Sequence, residues 1–196
     1  MPPLLTDADY AKAAQELGCN VPAIHAVSDI EAPGGAFLDD GRPVILYESH
    51  QFHIATKGKF DSTHPDLSTP SWVHNYGPAG AHQYDRLEAA KALDQIAALS
   101  STSWGKYQVM GSNFAPCGYG NVADFVQAMY ASEANHLEVF VRYLQSTGIA
   151  RDLASHNWVS FALRYNGRGE RANQYDTKLA AAYARQVEKY GAGSNG

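Results

Sequence analysis

The chain holds 196 residues, 45% of them apolar and 18% charged, enough for one compact domain and too few for a multidomain assembly. Its 15 Lys and Arg against 20 Asp and Glu leave a net charge of -5, so the basic excess that grips a phosphate backbone is missing and nucleic acid is not an expected partner. No stretch nears ~18 consecutive apolar residues, and residues 1–7 lack a basic segment leading into an apolar core, so neither stable membrane insertion nor a secretory signal is expected.

In chain order, Thr6 followed by Asp7 and Asp9 predicts a capped helix that stops at Gly18. Asn20 caps a second helix, with Pro22 in its first turn, that runs to Glu31 and breaks at Pro33-Gly34-Gly35. Ala36-Phe37-Leu38 and Pro43 to Glu48, joined by Asp39-Asp40-Gly41, read as a β-hairpin on an Asp-Gly turn, the one clear β signal. Residues 57–82, rich in Gly, Pro, Ser, Thr and His, predict a long irregular loop of the kind that is usually functional or mobile.

Beyond that loop the pattern is helical. Leu87, Ala90, Leu93 and Ala97 recur at helical spacing across 85–99, Asn121 caps a helix over 122–129, and Ser132 caps one through Leu144 that Gly148 ends. Trp158, Phe161, Ala162 and Tyr165 share a helical face, and Asp176 opens a last helix through Leu179, Ala182, Tyr183 and Val187. The tail 191–196 is expected to be disordered. Cys19 and Cys117 stand far apart in no metal or redox spacing, which predicts two reduced, largely buried thiols. With no internal repeat or linker, residues 1–196 form a single predicted domain, mainly α with one small antiparallel sheet.

Two carboxylates stand out. Glu31 follows Ile24 by seven residues and Val27 by four, which puts it on their apolar face at a helix C-terminus. Lost solvation and the negative end of the helix dipole both raise its pKa, the setting of a general acid. Glu48 closes a row with Val44 and Leu46 along the predicted strand, so it too is expected to face inward. A protonated acid beside an ionised carboxylate is what glycoside hydrolysis requires. Two exposed glutamates at element ends are the competing structural explanation.

Several segments resemble one family, the N-acetylmuramidase domain of phage endolysins and related bacterial proteins, within the lysozyme-like superfamily. They are Ala23-Ile24-His25-Ala26-Val27 with Ile30-Glu31, the run from Gly35 to His50, Ala97 to Gly111 around Ser103-Trp104-Gly105-Lys106-Tyr107-Gln108, and Phe161 to Gly167 with its Tyr165-Asn166 pair. The resemblance implies an α+β lysozyme-like fold of two lobes around a glycan cleft, and hydrolysis of the β-1,4 bond between N-acetylmuramic acid and N-acetylglucosamine. It makes Glu31 the general acid and Glu48 the second carboxylate, as nucleophile, base or electrostatic stabiliser. Ser103, Gln108, Tyr165, Asn166 and His50 become substrate-side residues, with no metal and no cofactor.

For Gln108 the implied role is an amide that hydrogen-bonds the sugar, while a tight helix start capped by Ser103 is the structural alternative for that segment. Three positions depart from the family pattern: Ala32-Pro33 after Glu31, Ser49 between Glu48 and His50, and Gln83 before Tyr84, where a Glu is usual.

The expected partner is the glycan strand of bacterial peptidoglycan, attacked by a monomer made in the host cytoplasm and acting in the periplasm or wall. The nearest rival is a lytic transglycosylase, which needs Glu31 alone and leaves a 1,6-anhydro sugar. A metal-dependent amidase lacks its ligand spacing here, since His50 and His53 alone make a poor site. A non-catalytic wall-binding protein does not explain both glutamates. The cations of the last helix, Lys178, Arg185 and Lys189, read as a solvated face.

Overall fold

A computed structural model describes residues 1–31, 35–71, 76–167 and 174–192. The chain is mostly helical with one three-stranded antiparallel sheet, as the sequence pattern predicts. It divides into two compact units, one of Met1–Pro3 with Gly35–His136 and one of Leu4–Gly34 with Leu137–Gly196.

In the helical unit, α1 (Asp7–Leu17) starts on a capping box, in which Thr6 Oγ1 accepts from the Asp9 N–H and the Asp9 carboxylate accepts from Thr6 N–H at 2.8 Å. It ends where Gly18 turns left-handed at φ 65°. α2 (Val21–Glu31) begins where Asn20 Oδ1 accepts from Ala23 N–H at 3.1 Å, and it buries Ala23, Ile24, Ala26 and Val27 completely. The predicted break at Pro33 and Gly34 lies outside the described residues. Further along the chain, α9 (Trp158–Asn166) and α10 (Tyr175–Ala192) pack on each other, and α10 also lies along α2. Leu179 and Ala182 of α10 are fully buried. α10 continues through Ala192, past the Gly191 at which irregular chain was predicted, and residues 193–196 lie outside the described residues.

The sheet-bearing unit corrects several expectations. β1 (Ile45–Tyr47) pairs with β2 (Thr102–Trp104), which pairs with β3 (Val109–Met110). The predicted partner of β1, Ala36 to Leu38, makes one bridge, Phe37 with Pro43, around a turn closed by Leu38 N–H on Arg42 O at 2.8 Å. Val44 N–H also donates to Ala36 O at 2.9 Å and Arg42 pairs with Asp40, so the expected hairpin is present as a short antiparallel ladder around the Asp-Gly turn.

The 85–99 helix is two helices. α4 (Ala81–Leu93) starts four residues earlier, and α5 (Gln95–Ser100) starts afresh because Asp94 is extended and its carboxylate accepts from Ala97 N–H at 2.9 Å. α3 (Ser49–Thr56) follows Glu48 directly, and residues 57–67 form consecutive hydrogen-bonded turns. α6 (Val122–Ala131) carries the predicted Asn121 cap. α7 (Glu133–Thr147), whose Asn135 N–H is capped by Ser132 Oγ, belongs to the sheet-bearing unit up to His136 and to the helical unit from Leu137. A short α8 (Ala150–Ala154), unpredicted, precedes α9.

Tyr47, Trp104, Tyr107, Phe52 and Phe125 form the core of the sheet-bearing unit, and Phe140, Phe161, Ile24 and Leu153 that of the helical one. Burying side chains of this size contributes roughly 1.5–3 kcal/mol each. Cys117 is fully buried and Cys19 half-buried; both are free thiols, and burial pushes Cys19 up to about 11.

Candidate active site

Glu31 is the last residue of α2, a turn beyond the buried Val27. Its carboxylate is drawn into the helical unit: Oε1 is buried and has no hydrogen-bond partner among the described residues. Lost hydration penalises the charged form, and the carboxyl is raised to about 7. Asn166, the last residue of α9, faces it, and its amide lowers that value in part. Asn166 Nδ2 is itself buried, with no well-formed hydrogen bond among the described residues, so an acid and an amide donor lie close together.

Tyr165 adjoins Asn166 and stacks on Phe161 at 5.4 Å between ring centroids, with Phe140 and Tyr143 edge-on at 5.7 and 5.9 Å. That aromatic cage fixes the end of α9 and therefore the amide. Tyr175, which the sequence did not single out, opens α10 near enough to Glu31 that the carboxylate charge adds to burial in raising its phenol.

Glu48 lies between β1 and α3. The alternation runs opposite to the prediction: Pro43, Ile45, Tyr47 and Ser49 are buried, while Val44, Leu46 and Glu48 take the other, half-exposed face. One residue of register inverts every side chain of a strand. Glu48 is therefore accessible, yet partly desolvated enough to be raised above the usual carboxylate range, with Ser103 and His50 opposing that rise. Ser103 sits in β2, not at a helix start, and its hydroxyl donates to Glu48 Oε1 at 3.1 Å. His50 lies in the first turn of α3, its Nδ1 buried with no hydrogen-bond partner among the described residues and its ring parallel to that of His53 at 6.3 Å.

Gln108 lies in the turn from β2 to β3 with φ 49°, and its Nε2 donates to Gly105 O at 2.8 Å and to Val44 O at 3.4 Å. The amide nitrogen to which the resemblance gives a sugar contact thus also ties the turn together. Ser103, Gln108, His50 and Glu48 thus belong to one unit, and Glu31, Tyr165 and Asn166 to the other.

Gln83 and Arg86 escaped the sequence reading as site-shaping residues. Gln83 is buried on α4, accepting from Tyr47 N–H at 3.1 Å and donating to Tyr76 O and Pro78 O. Arg86 donates to the carbonyls of Tyr47, Tyr76 and Asp66. Both brace the residue before Glu48. Two donations and one acceptance demand an amide, which accounts for Gln where the family pattern has an acid. Among the described residues no group of three or more His, Cys, Asp or Glu side chains is arranged to hold a metal, and no helix is long and apolar enough to cross a membrane.

The fold and the two comparisons that follow define a glycosidase-type peptidoglycan hydrolase. The N-acetylmuramidase family model matches residues 20–187, and the chain belongs to that family. Four solved chains match it as well. One, the crystal structure of Burkholderia AP3 phage endolysin, is 39% identical with a TM-score of 0.88, over 97% of this chain and 73% of that one. No curated protein matches.

Proposed function

We propose that residues 1–196 act as one catalytic domain, a phage-type endolysin that hydrolyses the β-1,4 bond between N-acetylmuramic acid and N-acetylglucosamine in peptidoglycan. The observation that carries this is Glu31, a carboxyl held near 7 by burial in a member of the N-acetylmuramidase family. At neutral pH a large fraction of it keeps its proton, as a general acid must.

In this reading Glu31 gives its proton to the glycosidic oxygen as the bond to the anomeric carbon breaks, and water supplies the new hydroxyl. Glu48, ionised with the help of the Ser103 hydroxyl, meets the positive charge that develops on the sugar. Asn166 and Tyr165 hold the N-acetyl group or orient the acid, and His50 lies beside Glu48. The enzyme works as a monomer on glycan strands in the wall compartment and needs no cofactor.

Mass spectrometry of fragments released from purified peptidoglycan, with and without borohydride reduction, tests this. Reducible N-acetylmuramic ends that disappear with Glu31→Gln are the expected result. Anhydro ends would assign a lytic transglycosylase, and intact glycan with wild-type protein would overturn both.

A further inference from the structure

His136 is 1% exposed and both of its ring nitrogens are engaged. Nδ1 accepts from the Lys106 backbone N–H at 3.0 Å, and Nε2 lies 2.6 Å from Met129 O, a carbonyl that can only accept. Those two contacts together require the neutral tautomer with its proton on Nε2. Burial, with a smaller contribution from the Lys106 ammonium, holds the ring below the ordinary histidine range against the opposing pull of the Met129 carbonyl and of Glu133.

The ring is also a steric template. Phe37 packs on it at 4.9 Å, and Gly105 lies so close that a Cβ there would stand 2.7 Å from Nδ1. Gly105 has φ 70°, so both its backbone and its missing side chain fit this one approach. One helical turn away on α7, Glu133 takes the other end of Lys106, with Nζ to Oε1 at 2.7 Å between two nearly buried groups. α7 thus grips a single residue of the β2–β3 turn at backbone and side chain together.

That turn is rigidly continuous with the second carboxylate. Gly105 N–H donates to Val44 O at 2.8 Å, Gln108 closes onto Gly105 O, and Ser103, two residues back on β2, donates to Glu48. We infer that His136 is a positioning residue that fixes the β2–β3 turn on α7 and so holds the Ser103 hydroxyl against Glu48. Its catalytic meaning rests on the role proposed for Glu48, but the contact itself is measurable without any reaction.

The test uses two half-replacements. Asn at 136 keeps an oxygen near the Nδ1 position, able to accept from Lys106 N–H; Gln keeps a nitrogen near the Nε2 position, able to donate to Met129 O. The carboxyl ¹³C titration of Glu48, assigned with Glu48→Gln, is followed in wild type, His136→Asn, His136→Gln, Ser103→Ala and the Ser103→Ala/His136→Gln double variant. Because the Ser103 hydrogen bond favours the ionised carboxylate, Ser103→Ala raises the Glu48 midpoint by about half a pH unit or more.

His136→Gln raises it in the same direction, His136→Asn leaves it near wild type at a similar loss of Tm, and the double variant moves no further than Ser103→Ala alone. Unmoved midpoints in both His136 variants would reduce His136 to a core residue and overturn the inference. So would an unmoved midpoint in Ser103→Ala, or a wild-type ¹⁵N spectrum with the His136 proton on Nδ1, a measurement that needs no variant to fold. A fully active Glu48→Gln would sink the proposed role of Glu48 and leave these titration outcomes standing.

Discussion

Glu31 and Glu48 both stand at the junctions of elements and both are partly desolvated, yet the groups around them differ. Glu31 is enclosed by helices, with one oxygen buried unpaired and an amide alongside, and it is raised to about 7. Glu48 stands half-buried at a sheet edge, raised by desolvation that a serine hydroxyl and a histidine oppose in part. Burial raises both carboxyls, Glu31 to about 7 against the Asn166 amide, and Glu48 against the Ser103 hydroxyl and His50. The different tasks proposed for two chemically identical side chains rest on that contrast.

The sharpest way to break the comparison is at Glu31. Glu31→Gln removes the proton donor, and release of reducing ends from peptidoglycan should fall by about a thousandfold. The same change should raise Tm. Below the unfolded value near 4.5 both states hold the proton and the native fold is undisturbed. Between that value and about 7 the unfolded chain ionises freely while the native state resists, so stability is lost as pH rises. The gain in Tm from Gln is therefore expected to be larger at pH 8 than at pH 4, and scanning calorimetry at both reads it.

Glu48→Gln is next, with a loss of about a hundredfold and little change in Tm, because a half-exposed carboxylate carries less strain. Smaller effects sharpen the contrast by moving one limb of the kcat/KM profile at a time. Asn166→Ala removes the group that lowers Glu31, so the alkaline limb, set by loss of the Glu31 proton, should move to higher pH. Ser103→Ala removes the donor that favours ionised Glu48, so the acid limb should rise while the alkaline limb stays in place. Movement of both limbs by either change would mean that the two carboxylates do not titrate separately.

Much of the helical unit was legible in the sequence because its signals are local. The Thr6 and Asn20 caps, the Gly18 stop and the spacing of Ile24, Val27 and Glu31 each act within a turn or two, and each is realised. The sheet-bearing unit was read less well because its determinants are distant in sequence. β1 draws its partner from Thr102–Trp104 some 55 residues away, as the pair of Glu48 with Ser103 illustrates. A β-branched and aromatic run before Gly105, with Val109 after it, was the available signal for β2 and β3.

The inverted face of Glu48 has the same origin, since which side of a three-residue strand is buried depends on packing from α4, where Gln83 and Arg86 hold the Tyr47 backbone. Of the residues expected at the site, Glu48 and Ser103 do meet. Gln108 turns its amide inward because a turn with positive φ at both Gly105 and Gln108 leaves carbonyls that need a donor.

The most direct measurement is the carboxyl titration of Glu31 itself, by ¹³C NMR of the wild-type protein with Glu31→Gln for assignment. A midpoint near 7 is the predicted result and makes Glu31 the proton carrier. A midpoint in the ordinary carboxylate range, about 4.3, would contradict the account, because an acid already ionised at neutral pH has no proton to give.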